Sequence, residues 1–314
     1  MKGFRRTICS ILILAIISVL AACTGTNPNE NASSSKPSEQ QVSSVVSDDK
    51  KSLVKVMSYN IYYLDIEPRA ENIVKFIKMY PSDVIGLQEV TADWRPHINK
   101  AFADKYNIYG YSRSGADWAD ESQRSSGWEY SIILYSKDKY ELIDKGHFWI
   151  STTPNIFSAQ IPGGIVSQTP RCINWVMLKD KETGGEFVFL NAHLDAYNES
   201  VKKFSTELIT EQVKQFSEGL PVIMVGDWNL QISSPAIQYF ISNGYENVRH
   251  TAEETTDIGT FHSFEQLEKD AWKFGDIILA SKDRFRVKKF DIKTDKFDGK
   301  YISDHHMLVA EMYY

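Results

Sequence analysis

Six short polar islands, each joined to an apolar run, hold the side chains of this chain that could do chemistry. They are Ser58-Tyr59-Asn60-Ile61, Leu87-Gln88-Glu89-Val90, Asn191-Ala192-His193-Leu194-Asp195, Gly226-Asp227-Trp228-Asn229, Phe274-Gly275-Asp276-Ile277-Ile278 and Ser303-Asp304-His305-His306. Carboxylates, amides and imidazoles at the ends of hydrophobic strands pack awkwardly, but they suit a metal-assisted hydrolytic site. The islands span almost the whole of the apolar-patterned sequence, which implies one composite site assembled from many strands.

Glu89 closes an apolar run, so its carboxylate projects from a strand end, where a cation such as Mg²⁺ could take it as an oxygen ligand. A surface Glu capping Thr91-Ala92-Asp93 is the alternative. Asp227 and Asn229 follow a buried-strand pattern closed by Gly226, and residues i and i+2 of an extended segment point to one side. The carboxylate could orient or deprotonate water and the amide could bond a phosphoryl oxygen; an Asx turn would explain the same pair. His193 and Asp195 repeat that spacing, with Asn191 completing a polar row. Asp276 has no reason to enter an apolar run unless it is paired, and His305 needs a partner to fix its tautomer. The two are expected to touch. His306 reads as a strand-edge polar residue.

The elements that must carry these islands are legible. Short runs rich in β-branched and aromatic residues predict strands over 54–57, 84–87, 130–135, 173–177, 187–190, 222–225, 277–279 and 307–310. Helical periodicity predicts helices over 69–79, 201–216 and 235–243, the last ended by Asn243-Gly244. Residues 53–314, about 260 of them, fall within the range of one large domain. Two packed sheets with helices outside fit this order of elements, and an open doubly wound sheet fits the pattern too.

The first 22 residues read as a leader. Lys2, Arg5 and Arg6 precede an apolar run, and Leu20-Ala21-Ala22-Cys23 places small residues before a cysteine. This resembles a bacterial lipoprotein signal, which implies lipidation of Cys23, membrane attachment through that lipid and an extracytoplasmic location. Residues 23–52 are rich in Ser, Asn, Glu, Gln and Lys without an aromatic residue, and read as a flexible tether. Loss of the leader takes 35 basic residues to 32 against 41 acidic ones, and the net charge from −6 to −9. Such a chain is no general nucleic-acid coater, because duplex binding relies on Lys and Arg; a nuclease with a local basic patch remains open. With Cys9 in the leader and Cys23 lipidated, Cys172 has no intrachain partner and reads as a buried small hydrophobe.

As an ordered set the islands resemble the endonuclease/exonuclease/phosphatase superfamily. The resemblance runs over about 54–314 and is nearest to the bacterial secreted branch through Glu129-Tyr130-Ser131-Ile132-Ile133-Leu134-Tyr135, His147-Phe148-Trp149-Ile150-Ser151, Pro170-Arg171-Cys172-Ile173-Asn174-Trp175 and Gly259-Thr260-Phe261-His262. It implies a four-layer α/β/β/α sandwich of two packed mixed sheets with flanking helices. It further implies Mg²⁺ or Mn²⁺ at Asn60, Glu89 and Asp304, catalytic roles for His193, Asp227, Asn229, Asp276 and His305, and substrate contacts from Arg171, Arg113 and Asn191. A monomer hydrolysing a small-molecule or headgroup phosphoester is expected, with a secreted nuclease and a non-catalytic surface-binding lipoprotein as alternatives. Asp276 lacks the neighbouring Arg and Tyr that many members show, which weighs against polynucleotide or anionic-headgroup recognition. Residues 112–127, with Arg113, Asp117, Trp118 and Arg124, are expected to select the substrate.

Overall fold

The computed structural model describes residues 51–123, 128–167 and 169–314. The expected leader, Cys23 and the tether as far as residue 50 lie outside the described residues, as does Arg124.

Two mixed sheets pack face to face. The first runs in the order β12 (Glu254–Thr255), β14 (Arg286–Lys293), β15 (Met307–Tyr313), β1 (Leu53–Asn60), β2 (Val84–Val90), β4 (Tyr130–Ser136) and β3 (Tyr106–Tyr109). The second runs β11 (Tyr245–Asn247), β13 (Asp276–Ser281), β10 (Val222–Asp227), β9 (Glu186–His193), β8 (Cys172–Asp180) and β5 (Tyr140–Trp149). A two-stranded ribbon, β6 (Gln160–Ile161) with β7 (Ile165–Val166), stands apart from both. β1 pairs with β2, and β9 with β10, in parallel.

Strand alternation divides the apolar residues into three layers. Val54, Val56, Phe187, Phe189, Ile223, Val225, Ile278, Leu308 and Ala310 fill the space between the sheets. Met57, Ile85, Leu87, Ile132 and Leu134 turn the other way, onto helices α1 (Ile66–Met79) and α2 (Arg95–Phe102). Val188, Leu190, Val222, Met224, Ile277 and Leu279 turn onto α3 (Glu199–Phe216) and α4 (Pro235–Ser242). A short α5 (Val248–Thr251) follows β11. The result is the expected α/β/β/α sandwich.

The helices start where the local chemistry allows. Asn198 caps α3 by accepting from the Ser200 and Val201 amides, and Ser234 caps α4 ahead of Pro235, whose missing N–H costs nothing at the first turn. α1 buries Ala70, Ile73, Phe76 and Ile77, one helical face.

Two glycines permit close approach between elements. A Cβ on Gly226 would lie 2.0 Å from the Ala192 carbonyl oxygen of the neighbouring strand. A Cβ on Gly86 would lie 2.5 Å from Val225 and 3.0 Å from Asn191 Cγ, so only glycine leaves room for Asn191 between the sheets. Asn191 Nδ2 donates to the carbonyls of Leu87 (3.0 Å) and Ile132 (2.8 Å), and its Oδ1 accepts from Gln88 Nε2 (2.7 Å). This corrects the expected substrate contact: Asn191 is fully buried, and its amide pins the second sheet to the first. Asn174, its cross-strand neighbour, does the same to Tyr111 and Ser131.

Candidate active site

Asn60, His193, Asp227 and Asp276 occupy the last or first inward-facing positions of β1, β9, β10 and β13. Register places Asp227 opposite both His193 and Asp276. The apolar space between the sheets therefore ends in a polar cluster at one edge. Glu89 reaches it by a different route. Plain alternation would send Glu89 outward with Ile85 and Leu87, but β2 slips register against β4 between Leu87 and Val90, and Glu89 takes a left-handed φ of 60°. A bulge of this kind re-aims a side chain.

Asp227 Oδ2 is the centre of the cluster. Asn60 Nδ2 lies 3.1 Å from it, His193 Nε2 3.6 Å and His305 Nε2 3.7 Å. Each histidine is backed by a carboxylate on its other nitrogen, Glu129 at 3.3 Å from His193 Nδ1 and Asp276 at 2.8 Å from His305 Nδ1. The Asp276–His305 contact is the one expected. Each dyad joins a residue of one sheet to a residue from the other sheet or its flanking loop. Asp227 Oδ1 accepts the Asn229 amide N–H (3.0 Å), so the Asx turn and the cleft-facing oxygen coexist in one side chain.

Several expected site residues are placed differently from their anticipated roles. Asn60 turns its amide nitrogen to Glu89 (3.1 Å) and Asp227, while its oxygen accepts the Tyr62 N–H (3.1 Å). Here it bridges the two carboxylates as a donor. Asn229 lines the cleft, but its Nδ2 donates to the Leu194 carbonyl at 3.1 Å. Asp195 is a loop brace, accepting from the Tyr197 and Asn198 amides and from Ser167. Of the segment 112–127, only Arg113 among the described residues lines the cleft, whereas Trp118 is buried against Tyr130. His306 is buried against His262, Trp272 and Tyr301, away from any strand edge. Burial pushes the Cys172 thiol up, as suits an inert core residue.

The cleft, about 870 Å³, is lined by Glu89, Asp304 and both histidines at its floor, and by Arg113, Arg171, Lys202, Lys273, Tyr63 and Tyr197 on its walls. Arg113 ion-pairs with Glu129. Arg171 is 6 % exposed, and its Nε and Nη1 make no hydrogen bond among the described residues. Burial and the neighbouring Arg113 lower its pKa to about 10, against the pull of Glu129, Asp227 and Asp195. A buried guanidinium with unmet donors facing a cleft is a ready anion contact.

The electrostatics separate the two dyads. Burial, with Arg171 nearby, holds His193 down at about 4 despite Glu129. For His305 burial is overcome by Asp276 and Asp227, which keep it charged well above the ordinary imidazole range. Glu129 is pulled to about 2, burial being outweighed by His193, Arg113 and Arg171. Glu89 is pushed up to about 7, first by burial and then by Glu129 and Asp304. Carboxylates crowded this way are short of positive charge.

That shortage, and a donor set of hard oxygens, fit a divalent cation. Donor atoms of Glu89, His193 and Asp227 lie within 4.8 Å of one another, as do those of Asp227, Asp276 and His305.

Sequence reasoning did not assign Glu129, although its signal was of the same kind as that of Glu89: a carboxylate at the mouth of an apolar strand. Lys202, Lys273, Tyr63 and Tyr197 carry no such signal.

Two acid-backed histidines thus converge on one buried carboxylate at the edge of a two-sheet sandwich. The chain belongs to the endonuclease/exonuclease/phosphatase family, whose model matches residues 57–305. Members act on phosphoesters and use divalent metals. The fold is similar to that of an endonuclease/exonuclease/phosphatase family protein from Bacteroides thetaiotaomicron, at 25% identity and a TM-score of 0.75, covering 84% of this chain and 98% of that one. It is also similar to a mannosyl-6-phosphatase from the same organism, at 26% identity and a TM-score of 0.73, covering 83% and 100%. D. rerio TDP2 complexed with a single-strand DNA product shares the fold at 17% identity and a TM-score of 0.64, covering 83% and 99%. No curated protein matches the chain significantly.

Proposed function

We propose that this chain is a divalent-metal-dependent phosphoesterase that hydrolyses a phosphoester of a small molecule or headgroup by in-line attack of water. The observation that carries the reading is the convergence of Asn60, His193 and His305 on one oxygen of Asp227.

Asp227 orients the attacking water and takes its proton. His305, held charged by Asp276, stabilises the negative charge that builds on the pentavalent phosphorus, and His193, backed by Glu129, joins it in the protonated form that a bound phosphate anion favours. In that form His193 can also give a proton to the leaving oxygen. Arg171 binds a non-bridging oxygen, because a guanidinium fork suits phosphate. Glu89 and Asp304 are the residues that would hold Mg²⁺ or Mn²⁺, with Asp227 and His193 close by. When bound, the cation supplies charge neutralisation at the phosphoryl oxygens. No covalent enzyme intermediate is needed.

The groove that continues past Tyr63 favours a small substrate over a polynucleotide. Among the described residues it is lined by Asp65, Glu67 and Asp93 and by no Lys or Arg, so a phosphate backbone running along it would meet carboxylates. The mannosyl-6-phosphatase at 26% identity points the same way; the DNA-bound neighbour, at 17%, keeps a nuclease as the second reading. Sugar phosphates, phosphodiester headgroups, RNA and plasmid DNA offered with and without chelator separate these. Turnover confined to nucleic acid would overturn the small-substrate reading, and metal binding without turnover on any phosphoester would favour a binding protein.

Lipid anchoring through Cys23 on the far side of the membrane belongs to the same proposal. It rests on the leader sequence. Replacing Cys23 with Ala should release the protein from the membrane fraction, and retention of that variant would contradict the anchor.

A further inference from the structure

The loop between β1 and α1 passes over the carboxylate cluster, and two of its amides hold side chains there. Tyr62 N–H donates to Asn60 Oδ1 and Tyr63 N–H to Glu89 Oε2, each at 3.1 Å. Tyr62 and Asp65 in this loop take φ values of 62° and 49°, left-handed conformations that non-glycine residues keep only where the surroundings enforce them.

Arg69, on the first turns of α1, supplies the enforcement. Its five N–H donors meet five backbone carbonyls: Nε that of Asp65 (3.1 Å), Nη1 those of Ile61 (2.9 Å) and Ile302, and Nη2 those of Tyr62 (2.9 Å) and Leu64. The guanidinium lies against the rings of Tyr62 and Trp94, 5.2 and 5.6 Å from their centroids. A guanidinium has five donors, so none is left for a substrate. Four of the carbonyls follow Asn60. The fifth precedes Ser303, whose Oγ donates to the Asn60 carbonyl at 2.7 Å, and Asp304.

We infer that Arg69 is the positioning residue of the metal centre: by gathering these two loops onto one planar fork it sets the spacing of Asn60, Glu89 and Asp304 without touching substrate. The inference rests on the metal-dependent reading given above. Lysine cannot replace it fully, because an ammonium carries three donors on a point charge. Arg95 provides an internal control. It too lies in the first turn of a helix, donating to the carbonyls of Asp117 (3.4 Å) and Asp120 (3.3 Å) and to Tyr130 Oη (3.1 Å) and lying over the Trp118 ring. Those segments flank Arg113 and Glu129 but carry none of Asn60, Glu89 and Asp304.

The test compares Mn²⁺ affinity, read from the electron paramagnetic resonance of the free ion, in the full-length wild type and in Arg69→Gln, Arg69→Lys and Arg95→Gln, alongside thermal unfolding. Outer-shell groups of metal sites typically change affinity about 10–100-fold. Arg69→Gln should weaken Mn²⁺ binding by that factor, Arg69→Lys by less, and Arg95→Gln should lower the melting temperature while binding Mn²⁺ like the wild type. Wild-type affinity in folded Arg69 variants would overturn the inference, as would equal losses in Arg95→Gln and Arg69→Gln. If Arg69→Gln does not fold, Arg69→Lys decides: weakened binding supports the role and unchanged binding refutes it. A wild type without Mn²⁺ affinity would remove the metal-dependent reading and this inference with it.

Discussion

Asn60 and Asp227 belong to different sheets, yet Asn60 Nδ2 lies 3.1 Å from Asp227 Oδ2. They are the last residues of β1 and β10, interior strands that each have one parallel neighbour, β2 and β9. The apolar space between the sheets closes on this bond. The cleft chemistry is thus built on the ends of interior strands, and variants at its edge should change rate more than stability.

Glu129→Gln should keep the shape of the His193 dyad but remove its charge. An amide cannot hold the imidazole as a carboxylate does, and Arg113 loses its ion-pair partner. We expect turnover to fall by about 10²–10³ while KM changes little, since one preorganised charge-stabilising contact has roughly that value. Steady-state kinetics on the best substrate checks this; wild-type turnover would show that Glu129 is a bystander.

Asp276→Asn tests the opposite dyad. Asp276 is the foremost group holding His305 charged against its burial. Its loss should lower turnover by about 10²–10⁴, the usual range for an acid–base or charge-stabilising partner. Nitrogen-15 NMR of the chelated protein should show His305 losing its second proton at lower pH than in wild type. An unmoved titration would mean that Asp227 alone maintains the charge.

Glu89 makes the metal-free protein pH-sensitive. Its folded pKa is raised from the ordinary 4.5 to about 7, so the folded state holds a proton that the unfolded chain releases earlier. Its contribution is present below about pH 4.5 and is lost as pH rises through 7. In chelator, the melting temperature should therefore fall across that window, and Mg²⁺ or Mn²⁺ should restore it. Glu89→Gln should flatten the slope and abolish the restoration; a variant that keeps the wild-type slope would contradict the assignment.

Asn191→Ala should act on stability. It removes the side-chain donor to two backbone carbonyls and one of the three acceptors that Gln88 Nε2 has between the sheets, and each buried group so deprived costs about 1–3 kcal/mol. Urea unfolding should show a loss of about 3 kcal/mol or more. A raised KM with unchanged stability would return Asn191 to the substrate.

Much of the fold was legible because its buried strands are continuous apolar runs. All eight runs named in the sequence are strands, and the three periodic segments are helices. Helix α2 and several short elements went unread, as did two long strands, β14 and β5. β14 alternates buried Val287, Phe290 and Ile292 with charged residues and slips register after Val287, and β5 is an edge strand carrying Glu141, Asp144 and Lys145. In the site, residue type and strand-end position pointed to His193, Asp227, Asp276 and His305. The direction of Glu89 depends on a bulge against β4, the orientation of the Asn60 amide on the loop held by Arg69, and the burial of Asn191 on a glycine in another sheet. Such facts lie in partners far along the chain, beyond any local pattern.

The most direct test of the central claim is release of inorganic phosphate or alcohol from a panel of small phosphoesters by the full-length protein. Wild type, chelated wild type, the chelated sample with Mg²⁺ restored, and Asp227→Asn are compared. We expect turnover that chelator abolishes and Mg²⁺ restores, and that Asp227→Asn lowers by about 10²–10⁴ without loss of fold. Equal rates in Asp227→Asn and wild type, or rates indifferent to chelator, would contradict it.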